Sequence, residues 1–270
     1  MLATALLPLA LAMQTTAAVG GRPVDQSSQQ VAAADDQEQK EKEPPTPEHT
    51  GIHALLGNLG EDVKKLPAMQ NLYLAAIGGG VALAVHPADQ TFNAHLQAPY
   101  SPAVNAFFAP GKYLGDTPEQ LALSLGTYAF ARIFDQPKTA HLAMDLLQAQ
   151  AITEMLVEPL KFATRRERPD GSNNQSFPSG HAAITFAGAT VIERHLGWKY
   201  SLIGYGVATY VAASRLHDNR HYLSDVAFGA AVGSIAGRTV VHHASDYWAL
   251  TPVRVPGGVA LLVMRAAPPK

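Results

Sequence analysis

From His53 to about Val241 the chain alternates long apolar-periodic runs with Gly and Pro punctuation, and no stretch sustains a period of two. That pattern constrains the fold more than any other feature of the sequence. It predicts helices over roughly 53–66, 70–86, 118–135, 139–163, 180–195, 200–216 and 222–243, hence an all-α bundle of about six or seven helices. Thr117-Pro118-Glu119-Gln120 reads as a helix start, with Thr117 as N-cap and Pro118 at the first helical position. Pro67, Pro99, Pro102, Pro110 and Pro137 are expected between helices, because a ring in a helix interior removes a hydrogen bond.

The chain's two ends differ from this body. Residues 1–18 begin with an apolar run and carry small residues suited to cleavage, so an export signal is expected there. Residues 19–50 are rich in Gln, Ala, Asp, Glu and Pro and are expected to be an acidic linker without a core. The helical body follows over 51–250 and a tail over 251–270, in which 257–264 reads as a short strand or an apolar strap. Residues 1–49 carry a net charge of −4, which leaves the remaining residues at +2. A body so mildly positive lacks the basic stripe of a nucleic-acid binder. The absence of Cys excludes disulfides, thiolate metal sites and a cysteine nucleophile.

Hydropathy leaves the compartment open. The runs 72–85, 202–213 and 226–236 each stop short of about 20 clean apolar residues. His141, Asp145, Gln148, Gln150, Glu154 and Glu158 on the longest helix would be costly against lipid. The sequence favours an exported protein, soluble or membrane-associated, in the periplasm or envelope, over the alternative of a multi-pass inner-membrane protein.

Three motifs carry the chemistry. In Lys161-Phe-Ala-Thr-Arg-Arg-Glu-Arg168-Pro169, Lys161 and Arg168 are nearly two turns apart and so expected on one helix face, about 10 Å from each other. Arg165, Arg166 and Glu167 are expected on a solvated face. In Phe177-Pro178-Ser179-Gly180-His181, Ser179 is placed to cap an apolar helix. The N–H groups of Gly180 and His181 would then bind an anion, with His181 at the rim. In Ser214-Arg215-Leu216-His217-Asp218-Asn219-Arg220-His221-Tyr222-Leu223-Ser224-Asp225, a helical reading makes His221 and Asp225 an i, i+4 pair. The carboxylate would then hold one imidazole nitrogen and leave the other free as base or nucleophile. Arg215 adds a planar cation suited to phosphate. The set matches in-line displacement at phosphorus, with cations on the equatorial oxygens. These residues alone do not choose which histidine attacks.

Lys-x6-Arg-Pro, Pro-Ser-Gly-His and Ser-Arg-x5-His-x3-Asp, in that order, closely resemble the signature of the type 2 phosphatidic acid phosphatase (PAP2) / vanadium haloperoxidase superfamily. The resemblance implies a helical, metal-independent, acid-type phosphatase without cofactor, acting on phosphomonoesters or lipid (di)phosphates. It implies that His221 attacks phosphorus, Asp225 orients it, and His181 protonates the leaving group and then activates water. It also implies that Lys161, Arg168, Ser179, Gly180 and Arg215 hold the phosphoryl oxygens.

Other readings are weaker. The same residues could hold vanadate as in a haloperoxidase, but those enzymes are usually much larger. His217 and His221 resemble the zinc-protease His pair, with a short Asp where Glu is needed and three cations crowding the metal position. A non-catalytic envelope bundle has nothing in its favour, because acid, nucleophile and orienting carboxylate are all present. His49, His53, His86, His95, His141, His195, His242 and His243 share no spacing with the site and default to structural or solvated roles.

Overall fold

A computed structural model describes residues 51–97, 101–241, 247–255 and 258–266. The expected export signal, linker and His242-His243 pair lie outside them. The helices are α1 (Ile52–Lys65), α2 (Met69–Val85), α3 (Asp89–Gln97), α4 (Pro102–Leu114), α5 (Thr117–Ile133), α6 (Pro137–Thr164), α7 (Gly180–Leu196), α8 (Trp198–His217) and α9 (Leu223–Val240). An antiparallel hairpin follows, β1 (Tyr247–Val255) and β2 (Gly258–Ala266), so residues 258–264 of the expected strand or strap are a strand. The all-α bundle is as expected, with nine helices among the described residues instead of six or seven.

The two helices the periodicity did not reveal are α3 and α4. A single turn of 3-10 helix (His86–Ala88) carries the chain from α2 into α3 across Pro87. The polar run of α3 masked it, because its acids and amides serve tertiary contacts and not an apolar face. In α4 the Ser101 hydroxyl accepts from the Val104 N–H at 3.2 Å and Pro102 opens the helix, so Pro102, expected between helices, is its start signal. Pro110 lies inside α4 and not between helices. It is exposed there, so water can satisfy the carbonyl its ring leaves unpaired. Thr117 is likewise not the N-cap of α5; Asp116 is, and the Thr117 hydroxyl donates to Glu154 at 2.6 Å.

At the centre α7 packs on α6, α8 and α9. Its contact with α9 depends on Gly229, Gly233 and Gly237, one per turn. A Cβ on Gly229 would stand 2.5 Å from the Ser179 carbonyl, and one on Gly237 2.7 Å from that of Ala187. This close approach brings the start of α7 against the start of α9, where the motifs meet. The core around it is small and aliphatic, including Ala149, Ile152, Ala187, Val191 and Ala236, all fully buried.

The outer helices are different. Leu72, Ile77, Val81 and Leu83 on α2, Leu123, Leu125, Phe130 and Ile133 on α5, and Leu202, Ile203 and Val207 on α8 are all exposed. The continuous helical stretch Met69–Leu96 is long and apolar enough to cross a membrane, and only 17% of its apolar window is buried. The run 72–85 had seemed too short because the helical path continues beyond His86.

Candidate active site

The site forms where the end of α6, the starts of α7 and α9, and the end of α8 converge. Helix α6 stops at Thr164 because Arg165 turns into the left-handed region at φ 45°. Arg168 therefore does not continue the Lys161 helix face. It sits in the following loop, where its backbone N–H bonds the Asn173 carbonyl at 2.9 Å. Its guanidinium still reaches the site and has an Nε with no hydrogen-bond partner. Burial holds its pKa below the usual arginine range, and the neighbouring Arg220 adds to this. The Lys161 ammonium lies beside Gly180, 3.3 Å from where a Cβ would be, and pairs with Glu158 at 2.7 Å.

Ser179 caps α7 as expected, fully buried, with its hydroxyl accepting from the Ala182 N–H at 3.4 Å. The open N–H end of the helix then faces Lys161. His181 is anchored by a hydrogen bond to the Lys112 carbonyl, and its Nε2 is buried without a partner. The nearest carboxylate, Asp116, is 4.0 Å from that nitrogen. Burial, then the Arg215 and Lys161 cations, lower the His181 pKa to about 4.

His221 differs from expectation. It precedes α9, whose N-cap is Tyr222, so it does not form a helical i, i+4 pair with Asp225. Its Nδ1 donates to the Ser176 carbonyl at 2.6 Å, while the Asp225 carboxylate stands 3.9 Å away. A carbonyl accepts only, so this bond places the ring proton on Nδ1 and leaves the Nε2 lone pair available. Burial, then the Arg168 charge, hold the imidazole pKa well below its ordinary value, so it is neutral at mildly acidic pH. Asn93 of α3 donates to the His221 carbonyl at 3.1 Å and fixes the backbone as well.

Asp225 acts on this arrangement through others. Its Oδ2 accepts from Ser176 Oγ at 2.6 Å and from the Tyr222 N–H at 2.8 Å. Its Oδ1 accepts from Arg166 at 2.6 Å. Arg166 was expected on a solvated face. It instead donates to Asp225, to Ser224 Oγ at 2.7 Å and to Asp89 at 2.7 Å, and it covers the Tyr222 ring at 4.2 Å. Arg165 and Glu167, by contrast, are exposed as expected. Periodicity could not reveal Arg166, because the left-handed turn at Arg165 resets the direction of every later side chain. Asp89, Ser176, Ser224 and Asn93 were missed too; the one available signal was an isolated acid, Asp89, at the end of an apolar run.

Arg215 at the end of α8 is buried, donating to Ser214 Oγ at 3.2 Å and to Asp218 at 2.6 Å. A cleft lined by Asn105, Ala109, Lys112, Tyr113, His217 and Asp218 adjoins it. His217 is structural: its Nε2 meets the Asn105 carboxamide oxygen at 3.0 Å and its ring stacks on Phe108. Among the described residues, His217 and His221 join no cluster of three metal-ligating groups. All eight sequence-nominated residues (Lys161, Arg168, Ser179, Gly180, His181, Arg215, His221 and Asp225) therefore meet at one end of the bundle.

Residues 142–248 match the PAP2 superfamily. Among curated proteins, the lipid A 1-phosphatase of Porphyromonas gingivalis is 45% identical over 85 residues, 30% of this chain and 19% of that protein. The decaprenylphosphoryl-5-phosphoribose phosphatase of Mycobacterium tuberculosis is 34% identical over 90 residues, 30% of this chain and 49% of that one. The chain thus spans less than half the length of either relative. The fold is similar to that of a transmembrane PAP2-type phosphatidylglycerolphosphate phosphatase from Bacillus subtilis. That likeness has a TM-score of 0.54 at 24% identity and covers 63% of this chain and 93% of the other. The resemblance carried by the three motifs is thereby borne out over residues 142–248, a segment that matches the PAP2 superfamily and contains all eight sequence-nominated residues.

Proposed function

We propose that this chain is a phosphatase that removes phosphate from a lipid phosphate ester through a phosphohistidine on His221. One observation carries the reading: His221 is held through Nδ1 on the Ser176 carbonyl, neutral and buried, beside the Arg168 and Lys161 cations and His181. Its Nε2 attacks phosphorus while Lys161, Arg168, Arg215 and the start of α7 take up the charge on the equatorial oxygens. His181 gives its Nε2 proton to the leaving alkoxide and then takes one from the water that cleaves the phosphohistidine. The free imidazole holds that proton weakly; a phosphate dianion bound beside it raises its affinity, so binding itself loads the acid. Asp225 is a positioning residue here, keeping Ser176 and the start of α9 in register. The arrangement supplies charge compensation from side chains alone, so turnover without a metal ion is part of the proposal.

A lipid substrate is favoured by the exposed apolar faces of α2, α5 and α8, because large exposed apolar surface marks a membrane or partner contact. The similar proteins are named for lipid phosphates, which supports the same class. We place the protein in association with a membrane, with export following from residues 1–18.

The test is trapping with labelled substrate followed by peptide mapping. Label is expected on a peptide containing His221 and absent in His221→Ala. Label on a His181 peptide would invert the assignment, and label on Ser179 would replace the mechanism. Cell fractionation with a carbonate wash tests the location: protein that washes off intact membranes fully would remove the lipid-embedded reading.

A further inference from the structure

At the other end of α6 and α7, three side chains that the phosphatase site does not use meet inside the bundle. His141 and Asp145 lie one turn apart on α6, and His195 comes from the last turn of α7. None is more than 8% exposed. His195 Nε2 is 2.8 Å and His141 Nε2 3.5 Å from the same oxygen, Asp145 Oδ2. The two rings meet edge to face at 4.8 Å.

Two imidazoles gathered on one carboxylate oxygen form a borderline N2O donor set, suited to zinc and less so to the all-oxygen preference of calcium or magnesium. In a tetrahedral site with bonds of about 2.0–2.1 Å, neighbouring ligand atoms stand about 3.3 Å apart. The distances of 2.8 and 3.5 Å bracket that value, and all three ligand atoms lie within 4.8 Å of one another. Shifts of under an ångström would seat an ion without a new backbone path. Asp62 of α1, 2% exposed, is near enough to Asp145 for their like charges to act on one another. A divalent cation would compensate both acids, whereas neutral imidazoles compensate neither.

We propose that His141, Asp145 and His195 bind a divalent transition-metal ion of the zinc type, in a buried structural site that fastens α6 to α7. Sixteen residues of α6 separate Asp145 from Lys161, about 24 Å along the helix, so the ion takes no part at phosphorus. Ligation releases the protons held between these groups and cross-links two helices that the phosphate site requires in register.

The test uses the full chain, purified without a polyhistidine tag and dialysed against chelator, with Co2+ and Zn2+ as probes. One Co2+ per chain with the visible absorption of a tetrahedral site is expected, displaced by Zn2+. Thermal unfolding should move up by roughly 5–10 °C at a hundredfold excess of Zn2+ over Kd. Both signals should vanish in His195→Gln and in Asp145→Asn, and persist when His242 and His243 are replaced by Ala. A folded wild-type chain with no cobalt spectrum and no thermal shift would overturn the site and leave a hydrogen-bonded His–Asp–His clasp. So would binding that follows His242 and His243 instead. None of these readouts is turnover, so the proposal fails or stands independently of the phosphatase reading.

Discussion

The two ends of the α6–α7 pair are built from similar residue types and carry opposite chemistry. At the Lys161 end two histidines stand among Lys161, Arg168 and Arg215, and the buried carboxylates Asp225 and Asp89 are turned away onto Arg166. At the Asp145 end two histidines face a carboxylate directly, and a second acid, Asp62, lies close by. Histidine itself is the same in both places. What differs is the charge set around it and the acceptor it is given: main-chain carbonyls at the phosphate end, a side-chain carboxylate at the other. The first arrangement leaves imidazole nitrogens free for an anionic substrate, and the second commits them to a cation or to the acid.

Breaking the phosphate end should have the larger effects. His221→Ala is expected to lower turnover by roughly four orders of magnitude or more, as loss of a nucleophile does. Single-turnover assays would check the loss, and metal analysis should find the metal content unchanged. Arg166→Ala should act on both activity and fold, since it leaves Asp225 and Asp89 buried without their cation. A stability loss of about 3–5 kcal/mol is expected in denaturant titration, with turnover down roughly a hundredfold or more. A near-neutral Arg166 variant would mean that Asp225 does not position the nucleophile through this network.

The pH dependence sharpens the contrast. In the empty site His181 is protonated only below about 4, so kcat/KM should fall as pH rises above about 4, by roughly tenfold per unit. The profile of kcat, which reports the complex with phosphate beside His181, should hold to higher pH. His221, held neutral well below its ordinary pKa, should impose no acid limb near pH 6. Substrates with a good leaving group should flatten the alkaline fall, because they need little from His181. Identical slopes for good and poor leaving groups would remove His181 as the acid.

The smallest effects belong to the far end. Chelator should leave initial rates within about twofold of untreated enzyme, because in the proposed mechanism Lys161, Arg168 and Arg215 meet the transition-state charge. A loss of rate immediately restored by Zn2+ would put the metal into the reaction and dissolve the distinction between the two ends.

Much of the phosphate end could be read from the chain. Lys161, Arg168, Ser179, Gly180, His181, Arg215, His221 and Asp225 are identifiable because residue type and spacing within short motifs survive any error in local geometry. The geometry was another matter. His221 and Asp225 looked like a helical pair, but the helix begins two residues later than that requires, and the Ser176 carbonyl takes the place of the carboxylate on Nδ1. Arg166 looked solvated because a left-handed turn at Arg165 is invisible to a periodicity count. Helices α3 and α4 were hidden by polarity and proline, and the Asp145 end by sequence separation, since His141 and His195 are 54 residues apart.

By itself, the amino-acid sequence determined the helical class, the three motifs and the residues that carry charge and protons, because periodicity and side-chain chemistry are local properties. Tertiary structure alone decided which acceptor holds each histidine, which acid pairs with Arg166, and which apolar helix is core and which is surface. Helices α2 and α9 are both rich in apolar and small residues, yet α9 is buried against α7 through its glycines while α2 presents Leu72, Val81 and Leu83 outward. The reason is physical: burial and hydrogen bonding are properties of pairs of groups, and a chain specifies its pairs only when it has folded.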